Sequence, residues 1–98
     1  MQVDTVIESV DVQILESFPM QLNLVVTGYQ PDGCDVPVIV EQKREENVVT
    51  VHIYRELAPD VMCTMMIVPY EATIQIEGGF EGGTVEIHVN DFTTSVDL

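Results

Sequence analysis

Positive charge is what this chain most lacks: Lys43, Arg44 and Arg55 stand alone against seventeen Asp and Glu, for a formal net charge of −14. Phosphate backbones and anionic lipid surfaces are bound through clustered Lys and Arg, so neither nucleic acid nor a membrane surface is an expected partner. The acidic residues are scattered, with no run of five or six, which is the pattern of a solvated outer face. No stretch approaches the roughly 18 apolar residues of a membrane span. The start, Met1-Gln2-Val3-Asp4, has neither the basic nor the apolar region of a signal peptide. Tryptophan is absent, which excludes the antibody-domain signature of two cysteines around a core Trp. No window of about a dozen residues carries an apolar stripe at helical spacing, so helix is not expected.

What fills the chain instead is alternation. Hydrophobic residues make up 46% of its 98 residues, enough for one core and one domain spanning 1–98. Val10, Val12 and Ile14 fall on one face of a half-buried strand, and Val3, Val6 and Ile7 break that parity. A bulge near Glu8-Ser9, in a strand that crosses between sheets, reconciles the two halves. Leu22, Leu24 and Val26 alternate until Gln30-Pro31-Asp32-Gly33 supplies a turn. Val36, Val38 and Val40, then Val49, Val51 and Ile53, form a hairpin joined through Glu45-Glu46-Asn47, with Pro37 tolerated near a strand end. Val61 to Val68 is apolar nearly throughout, which reads as a strand covered on both sides or facing a partner, with Met62, Met65 and Met66 filling the core in preference to binding protein from an exposed position. Ala72, Ile74 and Ile76 lead to the glycine-rich loop Gly78 to Gly83. Val85, Ile87 and Val89 then turn through Asn90-Asp91 into Phe92, Thr94, Val96 and Leu98. Seven or eight short strands in a chain of this length predict an all-β, immunoglobulin-like antiparallel β-sandwich, with a small β-barrel as the alternative.

Signals of chemistry are sparse. His52 and His88 sit at outward strand parity, His52 beside Tyr54 and His88 beside Glu86, and read as surface histidines rather than metal ligands. Ser9, Ser17 and Ser95 stand in no nucleophile elbow. Acidic pairs such as Glu45-Glu46 or Glu77 with Glu81 have no reason to act as acid and base. No catalytic residue, metal site or cofactor is therefore expected, and the chain is read as a non-enzyme. Asp32, Asp35 and Asp60 flank the cysteines and keep a calcium-dependent domain in view, although no EF-hand pattern accompanies them. Cys34 and Cys63 lack the C-x-x-C spacing of zinc and thioredoxin-like motifs. A structural disulfide is the preferred reading, against two buried thiols or a reactive one, and it would argue for an oxidising compartment.

Three segments carry a resemblance: Pro31-Asp32-Gly33-Cys34; Met62-Cys63-Thr64 with Val68-Pro69-Tyr70-Glu71; and Gly83-Thr84-Val85-Glu86-Ile87-His88-Val89-Asn90. In these the chain resembles a family of uncharacterised bacterial domains, often found in exported or lipoprotein-like proteins, over most of residues 14–98. The resemblance implies a sandwich fold, paired cysteines and a place outside the cytoplasm, and it carries no activity. The functional expectation is a monomeric binding or structural module for a protein or carbohydrate partner. A protease inhibitor working through Gln30 to Asp35 or Gly78 to Gly83 is the first alternative, and a calcium-dependent domain the second.

Overall fold

The computed structural model describes residues 1–98 except Ser17, Phe18, Glu77 and Glu81. Eight strands follow one another: β1 (Gln2–Asp4), β2 (Val6–Leu15), β3 (Gln21–Gln30), β4 (Ile39–Glu45), β5 (Val48–Glu56), β6 (Val68–Gln75), β7 (Thr84–Val89) and β8 (Phe92–Asp97). No helix occurs among the described residues. Two sheets form: β2-β3-β6, and a larger one built on β5, which pairs with β1, β4 and β7, with β8 beyond β7. The architecture is a β-sandwich, and the closed barrel is not what the strands build.

The alternation explains the packing. Leu22, Leu24 and Val26 from one sheet meet Val49, Val51, Ile53, Val85, Ile87 and Val89 from the other, all at 0% exposure. Ile74, Ile76 and Phe80 complete the same cluster. Each such side chain contributes about 1.5–3 kcal/mol by leaving water, so this layer dominates the favourable side of folding.

The parity break near the amino terminus has a structural counterpart. β1 pairs with β5 in one sheet while β2 pairs with β3 in the other, so the chain changes sheets at Thr5. The register of β2 then shifts between Ile7 and Ser9, where the bulge is expected. Gly28 sits opposite Ile7, and a Cβ there would lie 1.9 Å from the Val6 carbonyl oxygen. Only a residue without a side chain lets the crossing strand pass so close.

β1 and β7 meet β5 on one edge, and Asn90 fills the seam between them. Its Oδ1 accepts from the Ile53 amide at 2.8 Å, and its Nδ2 donates to the carbonyls of Thr5 and Ile53 at 2.7 and 2.9 Å. The side-chain amide thus continues the ladder where backbone is missing. Asn90 also takes positive φ, 54°, at the head of the β7–β8 turn, a conformation Asn tolerates better than most residues.

Three expectations need correction. Val61 to Ile67 forms no strand; β6 begins only at Val68. The reason is pairing: Val68 already faces Gln30, the last residue of β3, so earlier residues have no ladder to join. Deprived of a sheet, the run stays irregular and its methionines do not fill the core: Met62 is 95% and Met65 100% exposed. Finally, the strand expected from Val36 starts at Ile39, which leaves Pro37 outside it, and Val40 is 40% exposed rather than inward.

Candidate functional site

At the end of the sandwich where β3 and β5 finish and β6 begins, the strands do not close over each other. A cavity of about 360 Å³ remains, lined by Gln30, Asp32, Cys34, Arg55, Val68 and Tyr70 among others. Val36, Val38, Met66 and Pro69 add apolar wall. Arg55 is the unusual member. It continues the inward row Val49, Val51, Ile53 of β5, and it is 1% exposed.

A buried guanidinium needs partners, and the turn after β3 supplies them on one side only. Arg55 Nη1 donates to Asp32 Oδ1 at 2.9 Å and to the Cys34 carbonyl at 2.8 Å. The Cys34 amide donates to the same Asp32 oxygen at 3.0 Å. The Arg55 hydrogen bond first, and the Cys34 amide second, hold the Asp32 carboxyl below its ordinary range. Arg55 Nε and Nη2, however, are buried with no hydrogen-bond partner among the described residues.

Gln30 has a similar asymmetry. It ends the inward row of β3 and is 5% exposed. Its Oε1 accepts from the Thr5 hydroxyl at 2.9 Å, while its Nε2 has no partner among the described residues. Tyr70, half-buried on the cavity wall, has its hydroxyl pKa pushed up by burial.

The irregular segment lies against this end. Cys63 is joined to Cys34 in a disulfide, and the Gly33 amide donates to the Thr64 carbonyl at 2.8 Å. Gly33 passes so close that a Cβ would stand 2.0 Å from Thr64 Oγ1. Met66 reaches the cavity, while Met65 and Ile67 on either side of it face solvent.

Other sequence candidates fall elsewhere. His52 stacks on Tyr54 with ring centroids 4.4 Å apart and pairs with Asp4 at 2.8 Å. His88 lies 2.9 Å from Glu86 and 3.2 Å from Thr93. Ser9 hydrogen-bonds Thr27, and Ser95 stands exposed on β8 opposite Glu86. Ser17, Glu77 and Glu81 lie outside the described residues. Of the three aspartates weighed for calcium, Asp32 is engaged by Arg55, Asp35 lines the cavity, and Asp60 is exposed before Cys63. Asp32, Cys34 and Cys63 bring their ligand atoms within 4.8 Å, but both sulfurs are held in the disulfide and are not thiolate donors. In the loop Gln30 to Asp35, Gln30 is buried and Asp32 is tied inward, while Pro31 and Asp35 are exposed. Arg55 was not singled out by any motif. Its signal is a charge at an inward parity, directly after three valine and isoleucine positions of the core.

The family comparison agrees with the fold. The model of the ORF11 beta-sandwich domain matches residues 24–98, and the chain belongs to that family. A relative from Herpetosiphon aurantiacus, an uncharacterized 10.2 kDa protein in the HgiCIIM 5' region, is 33% identical over 92 residues, covering 94% of this chain and 98% of the relative. A second from the same organism, an uncharacterized 10.2 kDa protein in the HgiBIM 5' region, is 30% identical over 82 residues, covering 84% of this chain and 100% of its own length. No solved structure matches the chain.

Proposed function

We propose that this member of the ORF11 beta-sandwich family is a non-enzymatic binding module, and that its ligand enters the cavity at the disulfide-tied end. One observation carries the reading: an open cavity with apolar walls and polar groups on its lining stands at this end, over the buried Arg55 guanidinium. Arg55 Nε and Nη2 are buried without a partner among the described residues, at a cost of about 1–3 kcal/mol for a donor and more on a charged group, which marks this end as shaped by something other than stability. The volume of about 360 Å³ stands at the small end of ligand pockets, which run from roughly 300 to 1,000 Å³.

Binding is favoured over chemistry by how the reactive groups of the lining are engaged. The Asp32 carboxylate is bound to Arg55, and Cys34 is held in the disulfide. The disulfide also supports a place in an oxidising compartment, as in secreted and periplasmic proteins. Screening a library of small polar fragments by ¹H–¹⁵N correlation spectra tests the reading. Shifts concentrated at Gln30, Cys34, Arg55 and Tyr70 are expected. Hits that avoid this cluster, or a screen without hits, would remove the cavity as the working site.

A further inference from the structure

We infer that the disulfide-tied end docks a segment of a partner protein that sets Lys or Arg beside aliphatic side chains. The inference rests on the binding-module reading and adds the class of partner. Its apolar half comes from the irregular run 61–67. Of the ten large apolar side chains exposed among the described residues, five fall there: Val61, Met62, Met65, Met66 and Ile67. Met65 is 100% and Ile67 64% exposed, and Met66 between them lines the cavity with Val36, Val38 and Val68. The exposed run thus leads directly into the apolar wall. Single exposed apolar residues need no explanation, whereas a cluster beside a cavity marks a place of contact with another molecule.

The run is pinned at its centre. Cys63 is joined to Cys34, and the Thr64 carbonyl accepts from the amides of Gly33 and Met66 at 2.8 and 3.0 Å. A segment held in this way has less freedom to lose when a partner arrives, which lowers the cost of binding. The unbranched methionine side chains then adapt to the shape they meet.

Charge supplies the other half. Asp35 lines the cavity, is exposed, and has no hydrogen bond or ion pair among the described residues. Asp60, exposed just before Val61, is equally free among them. The cations are engaged elsewhere. Arg55 is 1% exposed and matched by Asp32, Lys43 pairs with Glu45 at 3.4 Å, and Arg44 lies over the Phe80 ring. The amino-terminal ammonium donates to the Leu57 carbonyl at 2.7 Å. A second copy of the chain would bring Asp35 and Asp60 toward their own kind, with −14 on each partner, and is repelled. A basic segment is attracted instead: charge steers it and fixes its register, while contact with Met65, Ile67 and the cavity wall supplies affinity.

The test titrates three capped peptides, Leu-Lys-Leu-Arg-Leu, Leu-Glu-Leu-Glu-Leu and Ser-Lys-Ser-Arg-Ser, into the intact oxidised protein. The readout is the Met65 and Ile67 methyl signals and the Asp35 amide. The first peptide should shift all of them and bind at least about tenfold more tightly than either of the others, because it alone combines apolar burial with attraction to Asp35 and Asp60. Its lead over the acidic peptide should shrink at about 1 M salt, where charges act over only about 3 Å. An acidic peptide that binds as well overturns the charge argument, and a serine peptide that binds as well overturns the apolar one; the inference falls in either case and the cavity remains a binding site. If no peptide moves these signals, the inference falls while fragment hits at Gln30, Cys34 and Tyr70 keep the binding module; without those hits both readings fall. Asp35→Asn and Met65→Ser alter exposed side chains on which the fold does not depend, and each should weaken the first peptide several-fold. Unchanged affinity in either variant counts against the inference.

Discussion

Removing the Cys34–Cys63 bond is a perturbation whose effect on stability can be worked from the spacing of the two cysteines. The two cysteines are 29 residues apart in sequence, and the bond shortens the list of conformations open to the unfolded chain. On the chain-entropy relation, closing a loop of about 30 residues removes about 12 cal/mol/K from that state, or about 3.6 kcal/mol at room temperature. A domain of 98 residues unfolds with an entropy of about 0.2 kcal/mol/K near 60 °C, so Tm should fall by about 15–20 °C. The double variant Cys34→Ala, Cys63→Ala is the right comparison. It keeps the Cys34 amide and carbonyl that Asp32 and Arg55 use. Urea unfolding followed by far-UV circular dichroism gives both quantities that matter, because a chain freed of its crosslink exposes more surface and raises the m-value. A loss below about 1 kcal/mol with an unchanged m-value would refute the reasoning. It would mean that the unfolded chain already keeps these residues together, leaving the bond little to restrict.

Gly28→Ala places a methyl 1.9 Å from the Val6 carbonyl, a backbone atom that cannot rotate away; overpacking of this kind costs about 1–3 kcal/mol, and chemical denaturation should find a loss in or above that range. Asp32 titrates below its ordinary value of 3.8 in the folded chain, so its contribution is present above the unfolded pKa and lost as pH falls through the folded one. Asp32→Asn should accordingly be less stable than the parent near neutral pH, with the gap closing below about pH 4; a gap that stays constant across this range contradicts the Arg55 pairing. Dilute peroxide should convert Met62 and Met65 to sulfoxides well before half-buried Met20, without loss of the β-sheet spectrum, as peptide mass mapping would show. Equal rates at Met20 and Met65 would mean that the irregular segment is not laid open as described.

The sandwich was legible because its signal is periodic and repeated: β3, β5 and β7 each bury every second side chain, so one rule applied along the chain finds the core. Even the crossing of the first strand left a trace, since the parity break at Glu8-Ser9 is what a bulge does to alternation. Val61 to Ile67 failed for a physical reason. Apolar content says that a segment would gain by leaving water, but a strand also needs a partner edge, and edges are allotted by the topology of residues far away. The candidate site was hidden by the opposite habit, that of treating turn residues as punctuation and charges as surface. Gln30 and Arg55 both obey the inward parity of their strands, and both are polar where that parity demands something apolar. A polar residue on the core row is costly to bury, so it signals either a partner within the chain or a ligand from outside. Asp32 and Thr5 are those partners for one half of each group, and their positions relative to β3 and β5 follow only from the folded turn and the sheet crossing. The unmatched half, Arg55 Nε and Nη2 with Gln30 Nε2, is therefore where the fold and the alternation rule part company, at the end of the sandwich where the cavity opens.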